Sequence, residues 1–332
     1  MYMGNTNTHE ADYHDLLIRN RLLLRQAQQG TNLDPTVKHS IADVKKNRRY
    51  TSLVFTGTGL QSLSYLGSLE YLQHNRYLSN IKNIACAGFG SIIAVLYAVG
   101  YTISEIKTIM MKLDYRKLSG SGPNLSSDIF HVATEFGVNN GQYLIDYVTK
   151  LIEKRAGNRN YTLEQLYKEK SINLVGTASD LTSGKTLTFW YGQYPKMPLR
   201  LLVRIACSIP SYFCPVIFEG HYLVSNLSDN MDTIFDGLYP SDPLYTSPNP
   251  EVLVLYPFTR TNGLPAPKTA HNYYASIIQM LQSTPADRAV DPVFWERSIP
   301  IHLHSPDSVC ISTQDITDWY RQGYDDSKKF FE

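Results

Sequence analysis

The stretch from Ile84 to Tyr101 reads I-A-C-A-G-F-G-S-I-I-A-V-L-Y-A-V-G-Y. Ile81 to Cys86 has the short apolar run of a buried strand, and Ile92 to Val99 that of a buried helix closed by Gly100. Between them lies a corner of small residues. Strand, tight corner and helix is the layout of a nucleophile elbow, which carries a catalytic side chain at its apex. Here the apex is Gly88, which has no side chain.

The same rhythm precedes this stretch. S-L-V-F-T (Ser52–Thr56) reads as a strand and G-T-G-L-Q-S (Gly57–Ser62) as a turn. A helix then follows, with Leu63, Leu66, Leu69 and Leu72 on one face. Alternating strands and helices imply parallel strands with helices packed on their faces. Further on, residues 102–170 are mostly helical, with a polar loop at Ser119–Ser127. Strands are expected at Ser171–Ala178, Thr186–Trp190, Glu251–Tyr256 and Ile299–Leu303, and a hairpin around Glu219–Gly220. Helices are expected at Leu199–Cys207, near Tyr273–Gln282, and at Thr317–Phe331.

The first 50 residues read as an appendage. His14–Gln29 has helical spacing, with leucines among Arg19, Arg21 and Arg25, and Gly30 ends it. Such a helix either packs on the body or grips a partner. The basic run Lys45–Arg49 reads as a solvated stretch before the first strand. The division is thus a helical arm at 1–50 and an α/β domain at 51–332.

A net charge of +1 gives no global field for nucleic acid or an acidic membrane. Cys86, Cys207, Cys214 and Cys310 lack C-x-x-C spacing, so they read as free thiols of a reducing compartment. The N-terminus lacks the charged-then-apolar order of a signal peptide, and no apolar run is long enough to span a bilayer. The expectation is an intracellular protein. The sequons at Asn124, Asn160 and Asn226 then carry no glycosylation.

A glycine turn between strand and helix serves either a dinucleotide or an oxyanion. The dinucleotide reading needs an acid about 20 residues on; Y-L-S-N-I-K-N offers none. The other use is to aim backbone N–H groups at developing negative charge.

Taken in order, these segments resemble the patatin-like phospholipase family over roughly residues 52–332. S-I-I-A-V-L-Y-A-V-G-Y (Ser91–Tyr101) echoes its elbow helix. S-D-L-T-S-G (Ser179–Gly184) matches its T-D-L-x-T-G, and R-I-A-C-S-I-P-S-Y-F-C-P-V (Arg204–Val216) its R-A-S-x-S-I-P-x-x-F-x-P-V. The resemblance implies a three-layer α/β/α sandwich with a mostly parallel sheet, in which a Ser–Asp dyad cleaves lipid acyl esters.

Carried over residue by residue, the catalytic serine falls on Gly88 and the dyad aspartate on Val224, with Ser225 and Asn226 at the glycines that follow it. The oxyanion turn keeps Gly57 and Gly59 but has Thr58, Gln61 and Ser62 where the family has glycine, a base and glycine. Acyl transfer needs an oxygen nucleophile, a base and oxyanion donors. Glycine and valine supply neither of the first two. Among substitutes, Cys86 reads as a buried strand residue and Ser91 as a hydroxyl bonded to backbone. Asp229 and Asp232 read as turn residues, and His302 with His304 makes only half a metal site, so neither metal nor cofactor is expected.

The leading expectation is a pseudoenzyme acting as a structural or protein-interaction module, with a protein partner or self-assembly. Its 24 tyrosines suit an interface. The alternatives are a lipid-binding pseudoenzyme and a phospholipase A-type acyl hydrolase with a displaced nucleophile.

Overall fold

A computed structural model describes residues 42–57, 59–119, 134–227, 231–236, 249–259, 292–303 and 312–332. The helices expected at His14–Gln29 and Tyr273–Gln282, the polar loop after Ser119, and Thr58, Asp229, His304 and Cys310 lie outside them.

Strand β1 (Ser52–Phe55) leads through a 3-10 turn (Leu60–Ser64) into α1 (Tyr65–His74), and β2 (Asn83–Cys86) leads into α2 (Gly90–Val99). Helices α3 (Ile103–Lys112) and α4 (Tyr115–Ser119), strand β3 (Gly137–Asn139), and helices α5 (Gln142–Ala156) and α6 (Leu163–Lys170) follow. Next come β4 (Asn173–Asp180), β5 (Lys185–Phe189), α7 (Leu199–Ala206), β6 (Ser211–Phe213), β7 (Val216–Phe218) and β8 (His221–Ser225). The last elements are β9 (Val252–Thr259), α8 (Pro292–Arg297), β10 (Ser298–Leu303) and α9 (Thr313–Phe331).

Eight strands form the main sheet, in the order β10-β9-β1-β2-β4-β8-β7, with β5 on β4. The run from β10 to β4 is parallel, and β5, β8 and β7 pair antiparallel. Alternation along the strands sends side chains to opposite faces. Leu53, Phe55, Ile84 and Cys86 join one core with Leu66, Leu69, Ile92 and Ile93. Val54, Ala85, Val252 and Val254 join a second core with Met231, Phe235 and Phe294. Two cores on two faces make the expected three layers, and they explain why β1 and β2 are apolar at almost every position.

The last helix starts earlier than expected, for a local reason, while the hairpin turns where it was expected. Helix α9 begins at Thr313 rather than Thr317, because Ser312 and Asp315 cap each other reciprocally. The hairpin turns at Glu219 and Gly220, whose φ values of 51° and 82° suit a tight primed turn. The short parallel ribbon of β3 and β6 and the short helix α8 were not anticipated.

The segment 42–50 packs on the body. Tyr50 is buried edge-on against Tyr77 and Phe331. Lys45 places its Nζ 3.6 Å over the Phe330 ring, and Arg48 pairs with Glu296 at 2.7 Å. The basic run is therefore not uniformly solvated: two of its cations turn inward. Helix α9 in turn lies against α1 and the turn before it. Ser68 donates to the Gly323 carbonyl at 3.0 Å, and a Cβ on Gly67 would sit 2.7 Å from the Tyr324 nitrogen. The C-terminal helix thus braces the glycine turn.

Candidate functional site

Parallel pairing in register, Phe55 with Cys86, ends β1 and β2 side by side, so the segments leaving them meet. The Ala87 nitrogen still donates to the Phe55 carbonyl at 3.1 Å. The chain then turns at Gly88, where φ is +51°, a conformation glycine adopts without the penalty a Cβ brings. Gly57 lies directly on this corner. A Cβ there would be 2.8 Å from the Ala87 Cβ and 3.2 Å from the Gly88 nitrogen. The turn and the elbow singled out in the sequence are therefore one site.

Among the described residues, two polar side chains bond to residue 88, and both point at its backbone. The Ser91 hydroxyl donates to the Gly88 carbonyl at 2.7 Å, and the Cys207 thiol donates to the same oxygen at 3.4 Å. Both residues are fully buried. Burial pushes the Cys207 thiol up to about 12, although its bond to Ser91 and the charge of Arg204 pull the other way. Burial also raises the Cys86 thiol far above the ordinary range, helped by Cys207. Neither sulfur forms the thiolate a nucleophile needs at neutral pH.

Val224 lies buried in β8 and pairs with Ser179 of β4, the strand that also pairs with β2. Ser225 and Asn226 are buried beside it, and the Ser225 nitrogen donates to the Ser208 carbonyl at 2.8 Å. Gln61 and Ser62 are buried within the 3-10 turn. Asp232 falls in a single 3-10 turn, Met231–Thr233. His302 faces the buried Asp326, with its Nδ1 3.3 Å from that carboxylate. Among the described residues no cluster of three His, Cys, Asp or Glu is placed to hold a metal.

Two arrangements near the site had no reading from the sequence. Asp180, buried at the end of β4, receives His221 Nδ1 at 2.7 Å, the Ser183 hydroxyl at 2.5 Å and the Thr182 amide at 2.9 Å. Burial pulls its carboxyl upward, but Ser183, the Thr182 amide and His221 together outweigh that and hold it at about 2. The motif S-D-L-T-S-G is thus a carboxylate that ties two hairpins together. Arg204, at the end of α7, donates to the carbonyls of Asn140 (3.0 Å) and Cys214 (2.7 Å) and to the Ser208 hydroxyl. It fastens the β3–β6 ribbon to the turn that follows α7. Phe213 of that ribbon lies 6.4 Å, ring to ring, from Phe89 at the elbow. The arginine was visible in its motif; its partners, far apart in the chain, were not.

A mostly parallel sheet, an elbow at the end of one central strand and a glycine turn from its neighbour laid against it define a protein built like an acyl hydrolase. The model of the patatin-like phospholipase family matches residues 53–239, more than half of the chain, and the chain belongs to that family. It is 30% identical over 174 residues to the uncharacterized protein R571 of Acanthamoeba polyphaga mimivirus, covering 51% of this chain and 55% of that one. It is 22% identical over 179 residues to the probable lipid hydrolase 463L of Invertebrate iridescent virus 6, covering 54% of this chain and 60% of that one. The chain thus spans little more than half the length of these curated relatives. Among solved structures, VipD from Legionella pneumophila superposes with a TM-score of 0.53 at 14% identity, over 86% of this chain and 67% of that one; the likeness is one of fold.

Proposed function

We propose that this chain is a patatin-fold pseudoenzyme whose acyl-hydrolase site is silent, and that it serves as a structural or protein-interaction module. The observation that carries the reading is residue 88: the apex has no side chain, and among the described residues the Ser91 hydroxyl and the Cys207 thiol beside it are spent on its carbonyl. Acyl transfer begins with an oxygen or sulfur attacking the ester carbon while a base takes its proton. Gly88 offers no such atom, Cys86 and Cys207 stay protonated, and Val224 cannot accept a proton. In a serine hydrolase stripped of its catalytic groups, binding and the oxyanion hole alone leave about 10³–10⁴-fold over water. Here the turn has also exchanged its usual base for Gln61, which lowers that remainder.

The N-terminal arm, residues 1–50, supplies the contact to a partner or to further copies inside the cell, with the α/β domain at 51–332 as its platform. A second reading, a lipid held without cleavage, draws on the relative described as a probable lipid hydrolase. A third is hydrolysis by a displaced nucleophile.

The test is turnover of a fluorogenic acyl ester and of phospholipid vesicles, alongside labelling by a serine-directed fluorophosphonate. The expected result is no signal above heat-killed protein. Protein-dependent, probe-sensitive turnover overturns the silent-site reading. Lipid retained through purification, seen by native mass spectrometry, favours the second. Because Tyr50 is buried in the body, truncation is best made at residues 1–41. Assembly measured by light scattering should fall while the melting temperature holds; unchanged assembly refutes the arm's role.

A further inference from the structure

We draw no further inference here: the strongest candidate, the exposed apolar patch of Phe136, Leu181, Ile217 and Tyr222 where the β4–β5 and β7–β8 hairpins meet, carries nothing because nothing in the structure shows what covers it.

Discussion

Putting a serine back at the apex is the most direct probe of the elbow. At a φ of +51° a residue with a Cβ pays roughly 1–2 kcal/mol. Replacing glycine also removes freedom from the unfolded chain, worth about 0.4–1 kcal/mol in the opposite direction. Gly88→Ser should therefore lose on the order of 1 kcal/mol, read as a lower urea midpoint at unchanged slope. Val224, the residue proposed here for the place of the dyad acid, offers the new hydroxyl no carboxylate, so a fluorophosphonate should label the variant no faster than the parent. Restoring the acid is harder. Val224 is only 2% exposed, and an uncompensated buried charge costs about 3–5 kcal/mol. Val224→Asp should lose that order of stability, and only the double variant should hydrolyse an ester above background. Fast labelling or turnover in Gly88→Ser alone refutes the reasoning, because it means a base other than residue 224 already serves the elbow. A Gly88→Ser variant more stable than the parent refutes the left-handed apex.

Other expectations can be checked with equally simple measurements. Gly67→Ala gains up to about 1 kcal/mol of helix propensity, but its Cβ would lie 2.7 Å from the Tyr324 nitrogen and 2.9 Å from the Tyr320 carbonyl carbon. Overpacking costs about 1–3 kcal/mol, more against backbone, so urea unfolding should show a net loss; a net gain means the two helices are not in close contact. Arg204→Lys keeps the charge but loses the fork that holds Asn140, Cys214 and Ser208. It should cost about 2 kcal/mol, and parental stability contradicts the bracing role. Burial depresses the Lys45 amine from 10.5 to about 8, opposed by Glu296 and aided by Arg48. Between those values the unfolded chain binds more protons, so stability should rise with pH from about 8. Tyr71, raised by burial from 10.0 to about 12, works the other way at higher pH. Lys45→Met should flatten the rise between pH 8 and 10, and an unchanged slope assigns it to another group.

The parts of the site that were legible before the structure share one property: they are local in the chain. The helix after the elbow was readable because its apolar run and closing Gly100 are contiguous, and the hairpin because its turn residues lie side by side. Gly57 and Gly88 could be placed together because consecutive strand–helix units of this kind run parallel. Ser91 was read correctly as a hydroxyl bonded to backbone, since its acceptor is the Gly88 carbonyl of the preceding turn. The β3–β6 ribbon was illegible because its strands are three residues each, too short for a period, and their partners are distant in the chain.

By itself the order of residues determined the alternation of strands and helices, the family, and the chemical poverty of positions 88 and 224. Those properties follow from side-chain identity and from the short-range geometry of the backbone. Only the folded chain decided that Cys207 and Ser91 share one carbonyl, that His221 meets Asp180, that Arg204 gathers three separate loops, and that Lys45 lies on Phe330. Each of these contacts joins elements with no common local pattern, and it exists because burying apolar faces on both sides of one sheet brings distant segments within reach of one another.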